Sequence, residues 1–218
     1  MIKFESLAIA VIGFIAIVSN PMSRVVAADI GNPQYGGRIN VTSWKALRDF
    51  KVVKQELDYS CGAASLATVF NSFYGMATTE KELLDSIGKD GKASFEDMAA
   101  VAPQYGFKGA GLALSFQDLK QLKIPAIAYL KYRGEDHFTV IRGIRLDGVV
   151  NLGDPSWGNR QLTEHQFRSM WETREDPKAR GKILLLVPLN IQTTKINETF
   201  FSPPKGWRLA LETIPLSP

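Results

Sequence analysis

From Gly62 to Tyr74, the positions Ala63, Leu66, Ala67, Phe70 and Phe73 recur at three- and four-residue intervals. That spacing predicts a helix buried along one face, with Gly75 placed to stop it. Residues 79–87 predict a second, shorter helix. Ser94-Phe95-Glu96-Asp97 has the form of a capping box with Asp in the third helical position, opening a helix that closes near Gly106. Ser115-Phe116-Gln117-Asp118 repeats the device, and Thr163-Glu164-His165-Gln166 starts a further helix running through Trp171. Between these the texture changes. Ile124–Leu130, His137–Ile144 and Val149–Leu152 are short runs rich in Ile, Val, Thr and Tyr, punctuated by Gly or Asp, and Ile183–Val187 is a fourth. Asp147-Gly148 is a hairpin turn signal between two of them. Helices first and an antiparallel sheet afterwards define an α+β fold.

The flanks read differently. Trp44, Leu47 and Phe50 stand at helical spacing within 43–53, residues 55–60 are polar and turn-like, and Asp29–Val41, rich in Gly, Asn and Pro, reads as a loose lead-in. Beyond Pro188 the tail is polar and Pro-rich and predicts no regular element. At the other end, Lys3 precedes an apolar run from Leu7 to Val18, and Val26-Ala27-Ala28 offers small residues where a signal peptidase reads them. The run is short of the roughly 20 apolar residues a spanning helix needs. Export with cleavage after Ala28 is therefore expected, to the periplasm or exterior of a bacterium, with no stable membrane span afterwards. Retention as an uncleaved anchor is the alternative, because Pro21–Arg24 break the usual cleavage-region pattern.

Composition narrows the class. Hydrophobic residues make up 45% and charged residues 22%, ordinary for a soluble globular chain. Removing residues 1–28, with Lys3, Glu5 and Arg24, lowers the net charge from +4 to +3 and leaves enough chain for one domain. The basic residues do not cluster around aromatics, so no nucleic-acid partner is expected. Two distant histidines and one cysteine give no metal-ligand spacing, and Gly109-Ala110-Gly111 lacks the rest of a phosphate loop, so no cofactor is expected.

The single cysteine changes the picture most. Cys61 cannot close an intramolecular disulfide, and a free thiol in an oxidising compartment asks for a chemical reason. It stands at the first turn of the buried helix, where amide N–H groups and the helix dipole favour a thiolate, and Gly62 leaves room for a substrate carbonyl. A nucleophile needs a base. His137 opens a predicted strand after the polar loop Arg133–Asp136, whereas His165 lies on a predicted surface helix between Glu164 and Gln166 and reads as solvated. Asp154 follows Gly153 at the end of the next strand. If Asp147-Gly148 turns a hairpin, it comes within side-chain reach of His137 and can fix its tautomer. By itself, Asp154-Pro155 is more commonly a turn start. Gln55, on the polar turn before the helix, can supply an amide donor to an oxyanion beside the Cys61 N–H. Tyr59, Trp157 and Trp171 are cleft aromatics or simple packing residues.

Gln55-Glu56-Leu57-Asp58-Tyr59-Ser60-Cys61-Gly62-Ala63-Ala64-Ser65-Leu66 resembles the cysteine box of the C39 peptidase family, in the papain-like clan. His137-Phe138-Thr139-Val140-Ile141 is similar to its histidine box and Asp154-Pro155 to its aspartate motif, across roughly Val52 to Trp171. Ser60 stands where the family often has Asp. The resemblance implies a papain-like fold of N-terminal helices packed on a C-terminal antiparallel sheet. It also implies peptide-bond hydrolysis through a thioester, with catalytic Cys61, His137 and Asp154 and with Gln55 in the oxyanion hole. Members best known for this box cut leader peptides after a double glycine as domains of exporting transporters. This chain has no transporter region and looks more like the stand-alone exported members, including those that accompany functional-amyloid secretion. The expected division is 1–28 signal peptide, 29–51 lead-in, 52–188 peptidase domain and 189–218 tail. The expected partners are a polypeptide substrate and a secretion-system component. Two other readings use the same residues: a papain-like module that binds a peptide without cutting it, and amide or acyl transfer on cell-wall peptides.

Overall fold

The computed structural model describes residues 26–29 and 38–202. The expected signal segment up to residue 25, and the tail beyond 202, lie outside the described residues. The chain divides into two compact units, Met1–Thr42 and Ser43–Pro218. In the first, β1 (Val26–Asp29) pairs antiparallel with β2 (Arg38–Val41), Val26 facing Val41 and Asp29 facing Arg38. Sequence reading left this stretch loose, because the Gly, Asn and Pro residues between the two strands mask their short ladder.

The second unit opens with α1 (Trp44–Arg48), followed by α2 (Cys61–Ser72), α3 (Glu80–Ile87) and α4 (Phe95–Val101). A 3-10 turn, Ala102–Tyr105, continues α4 until Gly106 closes it at φ 82°. Strand β3 (Phe107–Leu114) and helix α5 (Phe116–Lys120) lead into β4 (Ala126–Tyr132), β5 (Glu135–Ile144), β6 (Val150–Asp154) and β7 (Gly158–Leu162). Then come α6 (Glu164–Trp171) and β8 (Gly181–Pro188). The strands form one antiparallel sheet in the order β3-β8-β4-β5-β6-β7. The architecture is α+β, as the helical and strand periods predicted. Among the described residues no helix is long and apolar enough to cross a membrane.

Four helices begin with reciprocal caps. Thr79 pairs with Glu82, Ser94 with Asp97, Ser115 with Asp118 and Thr163 with Gln166, each cap hydroxyl accepting from the third helical amide. Each such cap is worth about 1 kcal/mol. The sheet is buried on both faces. Leu184 and Leu186 of β8 join α2 residues Leu66 and Phe70, while Ile183 and Leu185 join Phe167 and Trp171 of α6. This is why β8 reads as a continuous apolar run and not as an alternating one.

Both edge strands, β3 and β7, carry no strand signal in the sequence. β3 contains two glycines, and a Cβ at Gly109 would lie 2.5 Å from Ala99 Cα, so the glycine lets the strand lie on α4. β7 is polar Gly-Asn-Arg-Gln-Leu, formed because β6 offers it a ladder from Val150–Leu162 to Asp154–Gly158. The tail also differs from expectation. Glu198–Phe201 forms a 3-10 turn, Phe200 is fully buried against Phe73 with centroids 5.7 Å apart, and Asn197 N–H donates to Phe73 O at 2.7 Å. One aromatic anchor in a polar segment leaves no periodic trace.

Candidate active site

Cys61 is the first residue of α2 and is 4% exposed. The turn before it is closed by Ser60, whose hydroxyl donates to Leu57 O at 2.7 Å and accepts from Leu57 N–H at 3.2 Å. The first intrahelical bond runs from Ala64 N–H to Ser60 O at 3.0 Å. The amides of Cys61, Gly62 and Ala63 thus occupy the helix turn that has no intrahelical acceptors. Gly62 serves packing where sequence reading gave it to substrate access: a Cβ there would lie 3.1 Å from Met98 Sδ and 3.6 Å from Ala93. The missing side chain lets α2 and α4 approach each other closely.

His137 sits near the start of β5, and Asp154 ends β6. Strand pairing sets Val140 opposite Gly153, which carries the two side chains to the same end of the hairpin. His137 Nε2 lies 3.0 Å from Asp154 Oδ2, leaving Nδ1 as the ring nitrogen free of that bond, and Cys61 is among the groups that raise the imidazole. Gly153 makes the approach possible, since a Cβ would meet Arg142 Cδ at 3.2 Å and Val52 Cγ2 at 3.3 Å.

Asp154, 1% exposed, uses its two oxygens for two tasks. Oδ2 faces the imidazole, while Oδ1 accepts the Ser156 and Trp157 amides at 2.9 and 3.0 Å. The turn-start reading of Asp154-Pro155 and its pairing with His137 both hold, on different atoms. Burial alone would raise the Asp154 carboxyl, but the His137 bond, its charge and the two amides outweigh it and hold the group below the ordinary carboxylate value. Burial alone would lower His137; Asp154 and Cys61 outweigh it and push the imidazole up to about 9.

Gln55 reaches the same loop. Its N–H donates to Pro155 O at 3.1 Å, its Oε1 accepts from Ser156 Oγ at 2.7 Å, and its Nε2 donates to Leu57 O at 2.9 Å. A side-chain amide has two donor hydrogens, so this bond leaves one unused. Ser156, which sequence reasoning missed, ties Gln55 to Asp154; its signal was the Asp-Pro-Ser-Trp-Gly string, where an Asx turn places the third residue's amide on the carboxylate. Trp157 packs on His137, ring centroids 5.7 Å apart. Trp171 is buried on the far side of the sheet, and Tyr59 is 36% exposed beside Leu57. His165 is exposed on α6, the helix that covers the opposite sheet face from α2.

Comparison with known proteins agrees with this frame. The model of the peptidase C39 family matches residues 49–174. "Probable functional amyloid protease FapD" of Pseudomonas aeruginosa is 32% identical over 158 residues, covering 66% of this chain and 69% of that one. Its Pseudomonas fluorescens counterpart is 30% identical over 140 residues, covering 60% and 61%. Among solved structures, the peptidase domain of Streptococcus ComA, a bi-functional ABC transporter involved in quorum sensing, superposes with a TM-score of 0.54 at 22% identity, covering 64% of this chain and 98% of that domain. A double-glycine-motif protease from an AMS/PCAT transporter, solved with its leader peptide, gives 0.53 at 23%, covering 63% and 90%. These two share the papain-like fold of helices on an antiparallel sheet. The chain belongs to the peptidase C39 family and is a cysteine peptidase.

Proposed function

We propose that this peptidase hydrolyses a peptide bond in an exported polypeptide, with Cys61 as nucleophile, His137 as base and acid, and Asp154 orienting the imidazole. The observation that carries the reading is His137 held at 3.0 Å from a buried carboxylate through Nε2, with Cys61 among the groups that raise its imidazole. In the active form the thiol proton has already passed to Nδ1, and the sulfur attacks the substrate carbonyl carbon. The oxyanion that forms takes the Cys61 N–H and the unused Gln55 Nε2 hydrogen. As the oxyanion collapses, the C–N bond breaks and the imidazolium donates its proton to the departing amine. Water then loses a proton to His137 and attacks the thioester. The thiolate leaves, and the N-terminal product departs as a carboxylate. No step uses a metal or cofactor.

Placement outside the cytoplasmic membrane follows from the N-terminal apolar run and the small residues before Asp29. The likeness to FapD supports a polypeptide substrate connected with secretion, and a secretion component as partner. Cleavage after Ala28 would remove three of the four β1 residues and so dismantle the β1–β2 hairpin; the intact mass of the exported chain reports this directly.

The catalytic reading is tested with a degenerate peptide library and mass-spectrometric detection of cleavage. The unmodified chain should cut, while Cys61→Ala, at unchanged melting temperature, and His137→Ala, folded but less stable because the buried Asp154 loses its partner, should not. Iodoacetamide labelling of Cys61 should slow in His137→Ala. Cleavage that persists in Cys61→Ala would overturn the assignment.

A further inference from the structure

Trp157 is 41% exposed, although it is an indole packed against His137 at the working end of the sheet. Its other neighbours form a depression of about 460 Å³ lined by Trp44, Arg48, Tyr132, Arg133, Asn159 and Arg160. Tyr132 meets Trp157 edge-on at 5.0 Å. The Arg160 guanidinium lies 4.6 Å over the Trp157 ring, and that of Arg133 lies 5.3 Å over Tyr132. Arg48 is already neutralised by Asp49, with contacts of 2.9 and 3.0 Å. No ion pair engages Arg133 or Arg160 among the described residues.

The backbone at Arg133 strengthens the point. It holds φ 53° beside Gly134 at φ 87°, in the two-residue turn between β4 and β5. Such turns favour Asn or Gly in the first position, and an arginine held there is strained. Turn formation does not explain the choice of arginine, whereas a second cation facing the depression does.

We infer that this depression binds a carboxylate carried by the part of the substrate that follows the scissile bond, making Arg160 and Arg133 specificity-determining residues. The inference rests on the proposed hydrolysis. The departing amine takes its proton from His137, so the C-terminal half of the substrate leaves along the histidine's side of the nucleophile. Trp157 forms the wall there, and the depression opens immediately beyond it. Planar guanidiniums parked on aromatic faces keep their N–H edges available for bidentate binding of carboxylate. Either an Asp or Glu side chain or the chain's own terminal carboxylate supplies that group.

The test uses members of the peptide library with Glu or Gln in the first four positions after the scissile bond, each with a free or an amidated C-terminus. The Glu forms should be cut with kcat/KM about tenfold above their Gln forms, or the free-terminus forms about tenfold above their amidated ones. Arg160→Gln and Arg133→Asn, the latter keeping a turn-compatible residue, should erase that preference while leaving cleavage of the amidated Gln peptides and Cys61 alkylation unchanged. A preference that follows the free terminus assigns the site to the terminal carboxylate; one that follows Glu assigns it to a side chain. Equal cleavage of all four forms by the unmodified chain, or a preference that survives in both variants, overturns the inference. If no peptide is cut, the same peptides are titrated onto Cys61→Ala. Tighter binding of the acidic forms, lost with either arginine, upholds the carboxylate site although hydrolysis has failed; equal binding rejects it.

Discussion

Strand β5 carries two basic side chains five residues apart, His137 and Arg142, and the fold uses them in opposite ways. Each reaches across toward the chain segment 17 residues further on, His137 to Asp154 and Arg142 to Asn159. Arg142 is 4% exposed and finds no carboxylate; its guanidinium donates to the carbonyls of Phe200, Phe50 and Ser202 and to the Asn159 side chain, and lies 4.7 Å over the Phe200 ring. Burial pushes it down to about 10, which still leaves it charged at neutral pH. Five fixed donors among neutral acceptors make a clamp that joins the α1 loop, the sheet and the C-terminal segment. His137 differs by holding a buried carboxylate on one nitrogen, with Cys61 among the groups that raise it. On the proposed mechanism, a basic residue on this strand becomes a proton carrier only where its partner can change charge with it.

The largest expected effect comes from His137→Ala, which should lower kcat/KM by about 1,000-fold or more in a chain that still folds but melts lower, because the buried Asp154 loses its partner. Asp154→Asn comes next, with a loss on the order of 100-fold and weak residual turnover, because the imidazole keeps a partner but loses its counter-charge. The pH profile of kcat/KM makes this sharper. The unmodified enzyme should lose activity as pH rises through about 9, where His137 gives up its proton, and Asp154→Asn should move that limb down toward the ordinary imidazole value. The sign for stability is the same. The raised His137 contributes fully below its unfolded value and loses that contribution as pH climbs through about 9. The lowered Asp154 contributes above the ordinary carboxylate value and loses it on acidification.

Arg142→Met should reverse the pattern, costing about 3 kcal/mol in chemical denaturation, since several buried carbonyls lose their donor, with little change in turnover per folded molecule at 25 °C. A turnover loss as large as that of Asp154→Asn would erase the distinction between the two residues. Ser156→Ala should have the smallest effect, a few-fold in kcat equivalent to about 1 kcal/mol, because Gln55 loses the hydroxyl on its Oε1 while Asp154 keeps the backbone amide.

The helices were legible because each combines a period with an end signal: Ala63, Leu66, Ala67, Phe70 and Phe73 along α2, and the reciprocal caps at Ser94, Ser115 and Thr163. The hairpin joining His137 to Asp154 was legible from Asp147-Gly148, a local turn signal with strands on both sides. The two edge strands were not, because an edge needs one neighbour and little apolar surface, and glycines in β3 and polar residues in β7 suit that position. Phe200 and Arg142 meet 58 residues apart through carbonyls, which every residue possesses, so nothing in side-chain spelling announces their contact.

By itself the sequence determined the α+β order and the family, and proposed Cys61, His137, Asp154 and Gln55 as the site, since these depend on local periodicity, turn chemistry and short motifs. Tertiary structure alone decided that Gly62 serves Met98, that Asp154 divides its oxygens between turn and histidine, and that Ser156 ties the aspartate loop to Gln55. It also decided that Arg133 and Arg160 gather around Trp157. Each of these is a relation between segments distant in the chain, and the energy that fixes it comes from packing and hydrogen bonds that exist only once the segments have been brought together.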